Sequence, residues 1–191
     1  MNIWKRLSGL ALCLCAAVCV MSVSASAEGH SSHPICGASH ENIGDHTDAC
    51  ESVPWAAWNG MGEITYDSTN TAYVYLSDSA ARSSALTVTD GKTLNLCLNG
   101  KTLSSSSTVI EVKGNATLNI CDCHGSGAIT RKSECVIEVD TRDDVDGNAV
   151  FGTATLNLYG GKLSTDKTFD SGTVKLFNNH GNKPQTVAVF N

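Results

Sequence analysis

From Ala85 onward the chain alternates short apolar and polar runs, and one alternation recurs nearly verbatim. Thr93 to Leu103 reads TLNLCLNGKTL, Thr117 to Ile129 reads TLNICDCHGSGAI, and Thr155 to Leu163 reads TLNLYGGKL. A period of two is the signature of a strand, so Leu94 and Leu96, Leu118 and Ile120, and Leu156 and Leu158 share one face. Asn95, Asn119 and Asn157 take the other face. A strand-and-turn phrase repeated at an interval in the twenties predicts units stacked on one another.

Taking Leu94, Leu118, Leu156 and Leu176 as equivalent anchors, the spacings are 24, 38 and 20. The long interval exceeds a 24-residue repeat by 14, and the surplus falls in the polar stretch Asp140 to Gly152, DTRDDVDGNAVFG. That stretch reads as a corner loop inserted without disturbing a stacked core. A second element precedes the phrase as ALTV (Ala85 to Val88), VIEV (Val109 to Val112) and VIEV again (Val136 to Val139). A third follows, centred on Leu103, Ile129 and Leu163. Turns containing Asp90-Gly91, Asn99-Gly100, Gly114-Asn115 and Gly160-Gly161 separate them.

Three short strands per turn of about 24 residues predict an all-β parallel β-helix of about four rungs over residues 61–191, with its corner loop at 140–152. An antiparallel sandwich is the competing architecture, but its strands need not repeat one phrase. The asparagines are expected to form an external ladder, or else a polar groove facing sugar hydroxyls. Trp55 to Gly60 and Asp78 to Ser84 are the places for a helical turn.

Residues 1–27 read as a cleaved signal peptide, with Lys5 and Arg6, an apolar run from Leu7 to Val20, and Ala25-Ser26-Ala27 as the cleavage site. The run is shorter than the roughly 20 residues of a membrane span. Contact with a membrane is thus expected only through an uncleaved leader. The leader carries two of the 13 basic residues and none of the 19 acidic ones, which leaves a mature net charge of −8. That balance excludes nucleic acid as an expected partner, because phosphate binding requires basic patches.

Six cysteines follow the leader: Cys36, Cys50, Cys97, Cys121, Cys123 and Cys135. Residues 28–60 form a Cys/His-rich knot and N-terminal cap. His33, Cys36, His46 and Cys50 are expected to hold a structural zinc, or Cys36 and Cys50 to close a disulfide or to remain free thiols. The disulfide encloses a loop of about 15 residues and stabilises by roughly 3 kcal/mol. Cys97 and Cys121 each follow an anchor leucine by three residues. They are therefore expected on adjacent strands as a candidate disulfide, with Cys123–Cys135 as another. The Cys121-Asp122-Cys123-His124 phrase is also a candidate metal binder. Trp55 and Trp58 either cap the first rung or form a glycan-stacking platform. Asp144 and Asp146 resemble half of a weak calcium loop, although Arg142 stands where a first acidic ligand belongs. Glu111 and Glu138, repeated in VIEV, are the stacked acidic pair on which a catalytic reading would rest.

The His/Cys-rich segment (HPICG, HTDAC), the paired tryptophans of VPWAAW, and the phrases LCLNGKTL and ICDCHGSGAI resemble exported bacterial surface proteins with right-handed parallel β-helix repeats. The resemblance implies a pectate-lyase-like superhelix at the cell surface. The expected function is a non-catalytic secreted or cell-surface module displaying a surface for adhesion or partner binding. The partners would be extracellular glycans or host and neighbouring surface proteins. A glycan-binding module is the alternative, followed by a truncated polysaccharide lyase or glycoside hydrolase.

Overall fold

A computed structural model describes residues 55–132, 135–165 and 173–177, with Ile35, Val53 and the backbone of Val187–Phe190. The leader and the four knot ligands His33, Cys36, His46 and Cys50 lie outside the described residues. Every regular element described is a strand.

Three parallel sheets carry the fold. The first orders β1 (Ala56–Trp58), β2 (Thr71–Leu76), β5 (Thr93–Cys97), β8 (Thr117–Cys121), β13 (Thr155–Leu158) and β16 (Val187–Phe190) side by side. The second contains β4 (Leu86–Val88), β7 (Ile110–Lys113), β10 (Ile137–Asp140) and β15 (Val174–Phe177). The third contains β3 (Ala80–Arg82), β6 (Thr102–Ser105), β9 (Ala128–Arg131) and β14 (Lys162–Thr165). The chain visits the second, first and third sheets in turn, so each strand pairs with its equivalent in the next rung. This arrangement is compatible with a parallel β-helix.

In-register pairing converts sequence repetition into columns. Leu94, Leu118 and Leu156 are successive partners, as are Val88, Val112 and Val139. Leu103 and Ile129 continue the third face. All eight are completely buried in one core. Each such aliphatic side chain contributes about 1.5–3 kcal/mol by leaving water. Corners use residues that accept positive φ: Asn99 and Gly100 have φ of 51° and 70°. There the Asn99 amide donates to the Leu76 carbonyl of the preceding rung at 3.0 Å.

Four expectations change. Leu176 does not continue the TLNL column: β15 pairs with β10, aligning Leu176 with Val139. The next strand in the first sheet is β16, where Ala188 aligns with Leu156. An earlier copy, TAYVYL, was hidden because alanine stands in the first leucine position; Ala72 aligns with Leu94 and Val74 with Leu96. Its alternation is intact even though its wording is not. The corner insertion is an antiparallel hairpin of β11 (Arg142–Val145) and β12 (Asn148–Phe151). Asp146 and Gly147 turn it with φ of 50° and 77°, the geometry an Asp-Gly pair favours between hairpin strands. Finally, the two stretches read as helical turns contain β1 and β3 instead, because lateral pairing to β2 and β6 satisfies their backbones.

Candidate functional site

Two places on the outside of the sheets bring chemistry-bearing side chains together. The first is an open groove of about 410 Å³ across the third sheet. Its floor is the outward column Ala81, Ser104 and Thr130, which are register partners on β3, β6 and β9. Small side chains there leave the depression open. Arg82, Arg131 and Lys132 stand along its margin.

Neutral partners position Arg82. Arg82 donates through Nη1 to the Gly60 carbonyl at 2.7 Å and through Nε to the Ser84 carbonyl at 3.2 Å. Its guanidinium lies 5.6 Å from the centre of the Trp58 ring. Partial burial lowers the Arg82 pKa from its ordinary value, and among the described residues it forms no ion pair. Arg131 Nη1 donates to the Cys135 carbonyl at 2.9 Å. Among the described residues, the groove lining contains no carboxylate, imidazole or thiol. Its Arg and Lys side chains are suited to holding an anion.

The second place lies on the outer face of the first sheet. Tyr75, Cys97 and Cys121 form an outward column on β2, β5 and β8. After β8 the chain turns at Asp122, which is 6% exposed. Asp122 accepts from the Gly100 amide at 2.7 Å and from the Gly127 amide. This anchored turn returns Cys123 to the same side, with its Sγ 3.5 Å from that of Cys97. The sulfurs of Cys97, Cys121 and Cys123 all lie within 4.8 Å of one another. Trp55 joins Cys97 and Cys121 in a small buried cluster, with Ile35, Val53 and Tyr73 packed against it.

The structure keeps Cys97 and Cys121 together as register neighbours, adds Cys123 to them and leaves Cys135 outside the group. No disulfide joins any two of the four described cysteines. Cys135 stands apart, its Sγ donating to Glu138 Oε1 at 3.2 Å. Residues two apart on an extended segment share a face, and that parity was the sequence signal linking Cys123 to Cys121.

Trp55 and Trp58 are 8% and 6% exposed. Their parity places them on opposite faces of β1: Trp58 enters the main core, and Trp55 packs edge-on against Tyr73 at 5.6 Å. A glycan-stacking platform needs an indole face open to solvent, and neither has one. Asp144 pairs with Arg142 at 2.8 Å on the exposed hairpin, and Asp146 occupies its turn. Neither joins a metal-sized group among the described residues. Glu111 and Glu138 are register neighbours, as the repeat predicts. Their carboxylates are separately engaged, Glu111 with Lys113 at 2.7 Å and Glu138 with the Thr108 hydroxyl at 2.9 Å. The asparagines do form a ladder, but Asn95 is 3% exposed rather than external.

Comparison with protein-family models, curated proteins and solved structures finds no match to the chain.

Proposed function

We propose that this chain is a non-catalytic, exported module, coiled as a right-handed pectate-lyase-like β-helix, that binds an acidic polysaccharide across its third sheet. The observation that carries this reading is the groove at Ala81, Ser104 and Thr130, lined also by Arg82, Arg131 and Lys132. A chain with a net charge of −6 that nevertheless clusters three cations at one depression has a local preference for anions. Guanidinium groups recognise carboxylates and sulfates through directed N–H donors. Repeated small residues let an extended chain lie across successive strands.

The test compares neutral, uronic-acid and sulfated polysaccharides for binding to the purified chain. Acidic chains should bind selectively, weaken as salt rises, and bind at least about tenfold less tightly to Lys132→Glu, a loss of about 1.4 kcal/mol. Equal binding of neutral and acidic chains, or no binding to any, would sink the proposal. Release of reducing sugar or unsaturated product that Glu111→Gln or Glu138→Gln abolishes would show an enzyme instead.

A further inference from the structure

We propose that Cys97, Cys121 and Cys123 are three thiolate ligands of a structural zinc ion on the outer face of the first sheet. The three sulfurs lie within 4.8 Å of one another, and Cys97 and Cys123 are 3.5 Å apart. A tetrahedral zinc with Zn–S distances of about 2.3 Å holds its sulfurs roughly 3.8 Å apart. The cluster therefore needs only small side-chain adjustments to become such a cage.

Its surroundings suit a structural rather than a catalytic ion. Cys97 and Cys121 are completely buried, and the cluster is covered by Trp55 with Ile35 and Val53. Rigid pieces supply the ligands: two come from in-register strands and the third from the turn held by Asp122. A disulfide is a poorer use of this geometry. Side chains of in-register parallel neighbours point the same way, which holds their Cβ atoms farther apart than the ~3.8 Å of a disulfide.

Without a cation these thiols favour the protonated form. Hydrogen bonds with Cys123 and Cys97, followed by burial, push the Cys121 thiol strongly up. Cys123 is pushed up to about 12: its bond with Cys121 lowers it, but the bond with Cys97 and burial together prevail. Buried neighbouring thiols resist ionisation in one another's company. A divalent cation supplies the compensating charge, so zinc binding should release protons. Three thiolates leave one tetrahedral position for a further donor.

The chain purified without chelator should contain one zinc per molecule. Cobalt substitution should give intense thiolate-to-metal charge transfer and a tetrahedral ligand-field spectrum. Cys97→Ser, Cys121→Ser and Cys123→Ser should each weaken zinc binding at least about tenfold in competition with a chromogenic chelator. Cys135→Ser should not. The cobalt spectrum of the wild-type chain requires no variant to fold. Zinc content unchanged in the triple variant would overturn the proposal. So would a wild-type chain that takes up neither metal and whose thiols react only after reduction.

Discussion

Asn119 donates its side-chain amide to Asn95 Oδ1 at 2.8 Å, and Asn157 repeats the bond onto Asn119 at 2.7 Å. Asn95 extends the chain of bonds to the Ala72 carbonyl at 3.2 Å. The middle residue is donor and acceptor at once. Asn119→Ala therefore leaves an oxygen on one side and an amide on the other without their partner. Urea denaturation should show a loss of about 1–3 kcal/mol. Asn119→Asp should cost more, because a carboxylate would face the Asn95 oxygen. An unchanged midpoint for both would show that the ladder is dispensable.

Asp122 takes the corner position occupied by Leu76 and Leu98 in the two preceding rungs. Its carboxylate ties the Gly100 amide to the Gly127 amide. Asp122→Ala strands both donors and should destabilise by about 2–4 kcal/mol. Hydrogen exchange at Gly100 and Gly127 should accelerate together, whereas exchange in β7 should change only as much as global stability does. Independent responses at the two glycines would contradict the shared anchor.

The hairpin contains two neighbouring aspartates with opposite roles. Asp143 is 8% exposed and accepts the Asp90 backbone amide at 2.8 Å, joining the insertion to the corner two rungs earlier. Asp144 makes an exposed pair with Arg142. Asp143→Ala should lower stability by about 1–3 kcal/mol, and Asp144→Ala by less than about 0.5 kcal/mol. Thermal melts of the two variants side by side check the contrast. Equal losses would mean that the hairpin is held elsewhere.

Burial, with help from its bond to Glu138, pushes the Cys135 thiol up to about 11 from an ordinary value of 9.0. The folded protein therefore retains this proton over a range in which the unfolded chain loses it. The stability contributed by the neutral thiol is fully present below pH 9 and declines as pH rises from about 9 to 11. Cys135→Ala should reduce the steepness of that decline, as measured by denaturant midpoints across the window. An identical slope in the variant would show that Cys135 is not the responsible group.

The repeats were legible because one alternating phrase survives in β5, β8 and β13, and stacking keeps its residues in register. Legibility failed where wording and geometry part. TAYVYL retains inward Ala72, Val74 and Leu76 but shares no phrase with TLNL. VKLF looks like TLNL yet pairs beside VIEV, because backbone register rather than resemblance assigns a strand to a sheet. The hairpin was announced by Asp146-Gly147, although its polar residues suggested a loop. Arg82, Arg131 and Lys132 gave no linear motif; the coiling of β3 and β9 brings their ends to one groove.

Sequence alone determined the period, the inward leucine columns and the outward asparagine column, since these follow from a two-residue alternation repeated at about 24. Tertiary structure decided which outward columns remain in water. Cys97, Cys121 and Asn95 all point away from the core, yet all are buried. Alternation specifies only the side of a strand on which a residue projects. Whether that side is wet depends on what packs over it, and Trp55, with Ile35 and Val53, comes from a distant part of the chain to cover Cys97 and Cys121.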